Sequence, residues 1–346
     1  MPEAELLNPL LDARWHVLVE RHQAGSVFHT TAWLDSLRRT YGYEPFVVTT
    51  SRGKELTNGI VLCRICCGWT GNRIVSLPYS DHCEPLARDV GEVRPLIDHL
   101  LKLRGSEACK YVELRPRIYR PEMSDVFAPA AQFYAHTIDL RNSLQHIMGA
   151  FHESCVLRKI RRAERERLAY EFGTSESLLS AFYTLQVLTR RRHHLPPQPL
   201  LWFRNLVHCF GNALSIRIAF KDGRAVAGIL TLTHKQTLVY KYACSDPRFS
   251  HLGGTALLLW NAIQEAHRAG LEQIDMGRSD VHQQGLIAFK ERWGSKRSEL
   301  TYWRSPVSAC SAESSPFQSS LVNLLIERAP ARVLAFAGTV LYRYYG

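Results

Sequence analysis

Residues 215–244 read SIRIAF-KDGR-AVAGILTLT-HKQT-LVYKYAC, and this stretch decides the fold. Ser215–Phe220 and Ala225–Thr233 are apolar, β-branched runs joined by Lys221-Asp222-Gly223-Arg224. An Asp-Gly pair between two such runs is a hairpin signal. A second short turn leads into a third strand, Leu238–Cys244. A helix is expected from about Thr255 to Ala269, with Leu257, Leu258, Trp260, Ala262 and Ile263 as its packing face. Gln273–Met276 then reads as a further strand. A meander whose last strand feeds a helix and then a neighbouring strand sets the N-terminus of that helix over the sheet, where an anion can sit.

The same order occurs earlier. Pro45–Thr50, the turn Ser51–Lys54, Ile60–Cys66, a turn over 68–72, Arg73–Leu77, a helix near Val93–Leu103 and Lys110–Leu114 repeat it over residues 45–117. Each copy closes on an apolar-acid-apolar triplet, Val112-Glu113-Leu114 and Ile274-Asp275-Met276. A unit this long, present twice, is a duplicated domain rather than a solenoid. Two domains also suit a chain of 346 residues.

Outward from the repeats, residues 10–42 read as helices, with Thr30 or Thr31 capping Ala32–Tyr41. Pro116 and Pro121 bracket a loop leading to a boundary near residue 132. Phe133–Leu140 alternates as a strand, 144–168 reads as one helix, and a further helix over Ser177–Thr189 ends before Pro196. Glu299–Trp303 is a strand, Ser305–Pro316 a Ser/Pro-rich linker, and Phe317–Gly346 an apolar tail interrupted at Pro330. The expected division is 1–132, 133–304 and a linker with tail over 305–346.

Composition is that of a water-soluble globular protein, 46% apolar. The N-terminus lacks a basic-then-apolar leader, and no apolar run approaches the roughly 20 residues a spanning helix needs. A cytoplasmic protein is expected, and nine scattered cysteines suit a reducing compartment. The net charge of +11 is unevenly placed: residues 1–132 hold 16 basic and 16 acidic side chains, so the whole excess lies in 133–346. That points to an anionic partner for the second half.

The run Ile274–Asp280, followed by Gly285–Gly294 (Gly-Leu-Ile-Ala-Phe-Lys-Glu-Arg-Trp-Gly), resembles the C-terminal signature of Fem-type proteins. Ser76–His82, the basic stretch Arg158–Arg167 and Tyr240–Ser245 resemble further segments of that family. The likeness covers about residues 28–303. It implies an α/β (α+β) fold of two tandem GNAT-like domains, mixed sheets flanked by helices, with a helical tail and a cleft between the domains. It also implies an acyltransferase, bacterial and tied to the cell envelope or to polysaccharide, moving an acyl or aminoacyl group to an amine. The donor would be acyl-CoA, with aminoacyl-tRNA as the alternative, and the acceptor an anionic glycan, peptide or small molecule. The long helical arm of some classical members is missing, which weakens the tRNA reading. A basic, catalytically silent RNA- or glycan-binding module is the competing class.

Acyl transfer to an amine needs a neutral nucleophile, a donor carbonyl held in line, and positive charge or donors where the oxyanion grows. Lys290, after the apolar Leu286–Phe289, is the expected oxyanion group, against the plain alternative of a solvated helix lysine. Asp280, or the pair Asp81-His82, is the expected proton acceptor; turn capping is the alternative for each. Gly253, Gly254 and Thr255 at the helix start are expected to receive a phosphate, with Arg278 as a bidentate partner and Tyr242 on the donor's wall. If the strands splay as in GNAT folds, Tyr240–Ser245 is one wall and Gln273–Arg278 the other. Arg158, Arg161 and Arg162, with Lys159, and Arg191 and Arg192 are candidate anion sites, although Glu164 and Glu166 partly neutralise the first group.

Other chemistries are unsupported: the chain has no Gly-x-Ser-x-Gly elbow, Walker loop or His-Glu-x-x-His. Cys63 and Cys66 lie in one expected strand and face opposite ways, so no metal is expected there. The tail, with Leu324, Leu325, Arg328, Arg332, Val333, Leu334, Phe336, Leu341 and Arg343, could touch the inner membrane or pack on the second domain.

Overall fold

The computed structural model describes residues 4–66, 68, 71–118, 126–310 and 330–344. These divide into two compact units. The first holds the described residues up to Phe133, from Glu299 to Cys310 and from Leu341; the second holds Tyr134–Ser298 and 330–340.

In the first unit, β1 (Glu5–Leu7) precedes α1 (Ala13–Arg21) and α2 (Thr31–Tyr41). Thr30 caps α2 by accepting the Trp33 N–H. The meander is β2 (Glu44–Thr49), β3 (Ile60–Ile65), β4 (Arg73–Ser76), α3 (Val90–Ser106) and β5 (Tyr111–Leu114). Val93, Leu96, Ile97 and Leu100 fall at helical spacing on α3 and pack on Ile74 and Val112. Glu113 is buried on β5 between two cations: Arg115 Nε is 2.8 Å from one oxygen and Arg304 Nε 2.7 Å from the other.

The second unit takes up the chain within β6 (Ala128–Asp139). The segment 144–168, expected as one helix, is α4 (Leu144–Gly149), a π-helical turn over Glu153–Leu157 and α5 (Arg158–Arg165). His152 interrupts it: its side chain caps the Cys155 N–H and its own N–H bonds the Arg292 carbonyl. β7 (Ala169–Gly173) and α7 (Leu200–Phe210) escaped the sequence reading, as did β1; between β7 and α7 lies α6 (Glu176–Arg192). The repeat follows as β8 (Leu214–Lys221), β9 (Arg224–His234), β10 (Thr237–Ser245), α8 (Gly254–Arg268) and β11 (Gln273–Asp280), then α9 (Gln284–Glu291). The strand order here is β6-β11-β10-β9-β8-β7. Leu258, Leu259, Ala262 and Ile263 of α8 pack on Ile229, Ile274 and Met276. Each buried Leu or Ile side chain here contributes about 2 kcal/mol by leaving water.

The two compact units divide elsewhere than at the expected boundary of residue 304. From Glu299, β12 (Lys296–Ser305) belongs to the first unit, because Trp303, Arg304 and Ser305 pair antiparallel with Leu114, Glu113 and Val112. Of the expected tail, the described residues 330–344 fall in both units. In the second unit, α10 (Ala331–Tyr344) buries Leu334, and a Cβ on its Gly338 would stand 1.9 Å from the Pro197 carbonyl oxygen. Phe336 is exposed. In the first unit, the carbonyls of Tyr342 and Arg343 accept from Tyr43 Oη. Leu324, Leu325 and Arg328 lie outside the described residues, as do Pro121 and residues 311–316 of the expected linker. No described helix is long and apolar enough to cross a membrane.

Candidate active site

β10 and β11 run parallel and pair at Thr237↔Gln273, Leu238↔Ile274 and Val239↔Asp275. There the pairing stops, although β10 continues to Ser245 and β11 to Asp280. β10 stays zipped to β9 to its end, so it is β11 that turns away. The cause is local. Gly277 takes φ +70°, a conformation open to glycine, and its N–H bonds Asp275 Oδ1 at 2.8 Å. Buried Lys290 then donates from Nζ to the Gly277 and Arg278 carbonyls at 2.8 and 2.9 Å. Past the fork, the facing edges of the two strands carry backbone groups that need other partners.

A cavity of about 360 Å³ opens along β10 beyond its last pair with β11, and no β11 residue is in its lining. Tyr240 and Ala243 of β10 form one wall, and Leu286, Phe289 and Trp293, in and just after α9, form an apolar one. The start of α8 enters it through Gly253, Gly254 and Thr255, with Lys159 and Arg192 at its rim. Both glycines are sterically required. A Cβ on Gly253, at φ +81°, would lie 2.2 Å from the Lys159 carbonyl oxygen; one on Gly254 would lie 2.9 Å from Ala227 Cβ. No side chain caps α8. Its first-turn N–H groups therefore present the positive end of the helix dipole to the cavity.

The expected site residues separate into groups. Gly253, Gly254, Thr255 and Arg192 meet at the cavity, with Lys159. Tyr242 does not. The register between β9 and β10 shifts at Tyr240/Tyr242, leaving Lys241 as an extra residue. A bulge inverts side-chain alternation. Tyr242 therefore turns to α7, where its hydroxyl accepts from Trp202 Nε1 at 2.9 Å, and Tyr240 takes the cavity side. Lys290 is not in the cavity's lining, and it is no solvated lysine; it clamps β11 through backbone carbonyls. Asp280 caps a turn, accepting the His282 N–H at 2.8 Å, and Arg278 is exposed on β11. Arg161 and Arg162 are ion-paired with Glu153 and Glu166 at 2.6 and 2.7 Å, Arg158 is exposed on α5, and Arg191 is half-buried on α6; none lines the cavity. Asp81 and His82 lie in the first unit. The Asp81 carbonyl accepts from Tyr302 Oη at 2.8 Å, and buried His82 packs edge-on against Phe28.

Sequence reasoning missed His136 on β6. It is fully buried, and burial, then Lys290 and Arg297, push its imidazole down to about 4 against the opposing pull of Asp275. No local motif marks it, because the adjacency of β6 and β11 is a tertiary fact.

The first unit's copy of the repeat lacks these features. β4 pairs with β5 along its whole length, Arg73↔Tyr111 to Ser76↔Leu114. The N-terminus of α3 is closed by Asp89, whose carboxylate accepts the Glu92 N–H at 3.0 Å. An acid there disfavours an anion.

Comparisons agree with this geometry. Residues 154–291 match the family model of the acetyltransferase (GNAT) domain. Among solved structures, FemX aligns with a TM-score of 0.69 at 13% identity, over 86% of this chain and 96% of that one. A tandem GNAT protein from the clavulanic acid biosynthesis pathway aligns at 0.54 and 13% identity, over 90% and 100%. L-PGS from Bacillus licheniformis aligns at 0.54 and 13%, over 93% and 96%. These likenesses establish the tandem GNAT architecture. No curated protein matches the sequence.

Proposed function

We propose, for a chain whose residues 154–291 form a GNAT domain and which is an N-acyltransferase by class, that the second unit binds acyl-CoA and passes its acyl group to an amine on an anionic acceptor. The observation that carries this reading is the fork: parallel pairing ends at Val239↔Asp275, and an uncapped, glycine-started helix opens onto the cavity that β10 lines beyond that point. An extended donor arm fits between strand edges whose backbone groups are released. Phosphates suit the start of α8, with Lys159 and Arg192 adding charge.

The amine nitrogen attacks the thioester carbonyl, a C–N bond forms, and the C–S bond breaks as the oxyanion collapses. The proton lost by the amine ends on the departing thiolate. In this reading Lys290 is a positioning residue, keeping Gly277 and Arg278 away from β10. Asp280, at the open end of β11, takes the amine's proton first. An envelope or polysaccharide acceptor follows from the Fem-type resemblance and from the basic excess of residues 133–346.

The test is calorimetric titration with acetyl-CoA. Saturable binding that also raises the melting temperature is expected; no heat and no shift at millimolar ligand would refute the reading.

The exposed bases Arg158, Lys159 and Arg165 on α5 and Arg192 on α6 favour one alternative, an aminoacyl-tRNA donor with a peptidoglycan-precursor acceptor. Competition by RNA with a steep salt slope would move the assignment there. The same slope without any thioester binding would indicate a non-catalytic RNA- or glycan-binding module.

A further inference from the structure

Four polar side chains in the cavity lining are more than nine-tenths buried: Thr189, Cys244, Tyr240 and Trp293. Two are satisfied by the protein. Thr189 Oγ1 accepts the Ser245 N–H at 2.9 Å and donates to the Ser245 carbonyl at 3.3 Å. Cys244 Sγ donates toward the Gly228 and Phe182 carbonyls at 3.5 and 3.6 Å. The other two are not. Among the described residues, neither Tyr240 Oη nor Trp293 Nε1 has a hydrogen-bond partner, although their residues are 8% and 1% exposed.

Buried donors are almost always paired, and an orphan is unfavourable in the free protein. Two orphans on one cavity share an explanation: the partner is what the cavity receives. We infer that Tyr240 and Trp293 are ligand-binding residues whose O–H and N–H receive carbonyl oxygens of the donor, a thioester on an amide-bearing arm. This rests on the acyl-donor reading of the cavity and adds to it the side chains that recognise the arm.

The chemistry is consistent on three counts. An indole N–H only donates, so its ligand atom is an acceptor. Burial holds the Tyr240 phenol well above its usual range, so it stays a neutral donor. Its position fits as well, because Tyr240 is the first residue of β10 beyond Val239, the last to pair with β11. Trp293 is held by edge contacts with Phe151 and Phe289, at ring separations of 4.9 and 6.5 Å, which orient the indole without using its nitrogen.

Two replacements remove the donors and keep the packing: Tyr240→Phe, and Trp293 exchanged for 3-benzothienylalanine, whose sulfur replaces the N–H. Each is titrated with acetyl-CoA and with S-acetylpantetheine, which carries the arm without the nucleotide. Affinity for both ligands is expected to fall about ten-fold per variant, with a ligand-free melting temperature equal to or above wild type. Affinities within about two-fold of wild type would overturn the inference. A lowered ligand-free melting temperature would overturn it too, since the donors would then have protein partners. Wild type binding S-acetylpantetheine but not acetyl-CoA removes the CoA reading and leaves the inference standing; wild type binding neither removes both.

Discussion

Lys290 donates from Nζ to the Gly277 carbonyl oxygen across 2.8 Å, so a buried ammonium secures the turn at which β11 leaves β10. The same ammonium holds the Arg278 carbonyl at 2.9 Å. Replacing Lys290 by Met keeps the stem and leaves both carbonyls without their cation. The expected cost is about 2–4 kcal/mol, read by urea unfolding, together with loss of transfer. Wild-type stability in that variant would contradict the clamp.

Gly253 sits where α8 meets the backbone of α5. Gly253→Ala is expected to cost at least about 2–4 kcal/mol, because the clash at 2.2 Å is with a backbone carbonyl and the conformation is left-handed. Gly270 has a similar φ, +75°, with nothing within 4 Å, so Gly270→Ala is expected to cost only about 1–2 kcal/mol. Equal losses in the two variants would mean that the close approach does not matter.

Arg192 and Arg161 separate cavity charge from surface charge. Arg192→Ala is expected to weaken acetyl-CoA binding about ten-fold. Arg161, exposed and paired with Glu153, should tolerate alanine within about two-fold. Parallel titrations decide; the reverse ranking would relocate the phosphate site.

Glu113 titrates in the first unit. Burial alone would raise its pKa, but Arg115 and Arg304 hold it below the usual 4.5. A depressed acid stabilises the fold above its unfolded pKa, and that stability is lost as pH falls through the folded value. Thermal melts of wild type should therefore weaken below about pH 4.5, and Glu113→Gln should flatten that limb while lowering stability at neutral pH. An unchanged acid limb in the variant would exclude Glu113 as its source.

His136 titrates in the second unit with its own window. Its imidazole is held at about 4 when folded against 6.5 when free. Between those values the unfolded chain binds the extra proton, so stability rises with pH from about 4 to about 6.5 and is lost on acidification. His136→Leu should remove that slope. A slope that survives would show that Lys290 and Arg297 do not face a neutral imidazole there.

Much of the fold was legible in local sequence. Asp222-Gly223 marked the β8–β9 hairpin, apolar spacing marked α8, and the pair Thr30-Thr31 marked the start of α2. The paired glycines at 253–254 were legible as a helix start, because glycine at that position leaves backbone N–H groups uncovered. The break within 144–168 was not legible, since it depends on the Arg292 carbonyl meeting the His152 N–H from far along the chain. Nor was Tyr242's placement, because one extra residue at Lys241 reverses the facing that alternation assigns.

Sequence by itself determined the repeat, the α/β class and the glycine-started helix, since these follow from periodicity and turn chemistry within a few residues. Tertiary structure alone decided what holds the second copy open, a lysine thirteen residues from the glycine it binds. It also decided that Tyr240 and Trp293 share a cavity, and that His136 lies in the field of Lys290 and Asp275. Those relations depend on distance in space, and hydrogen bonds and charges act over that distance whatever the separation along the chain.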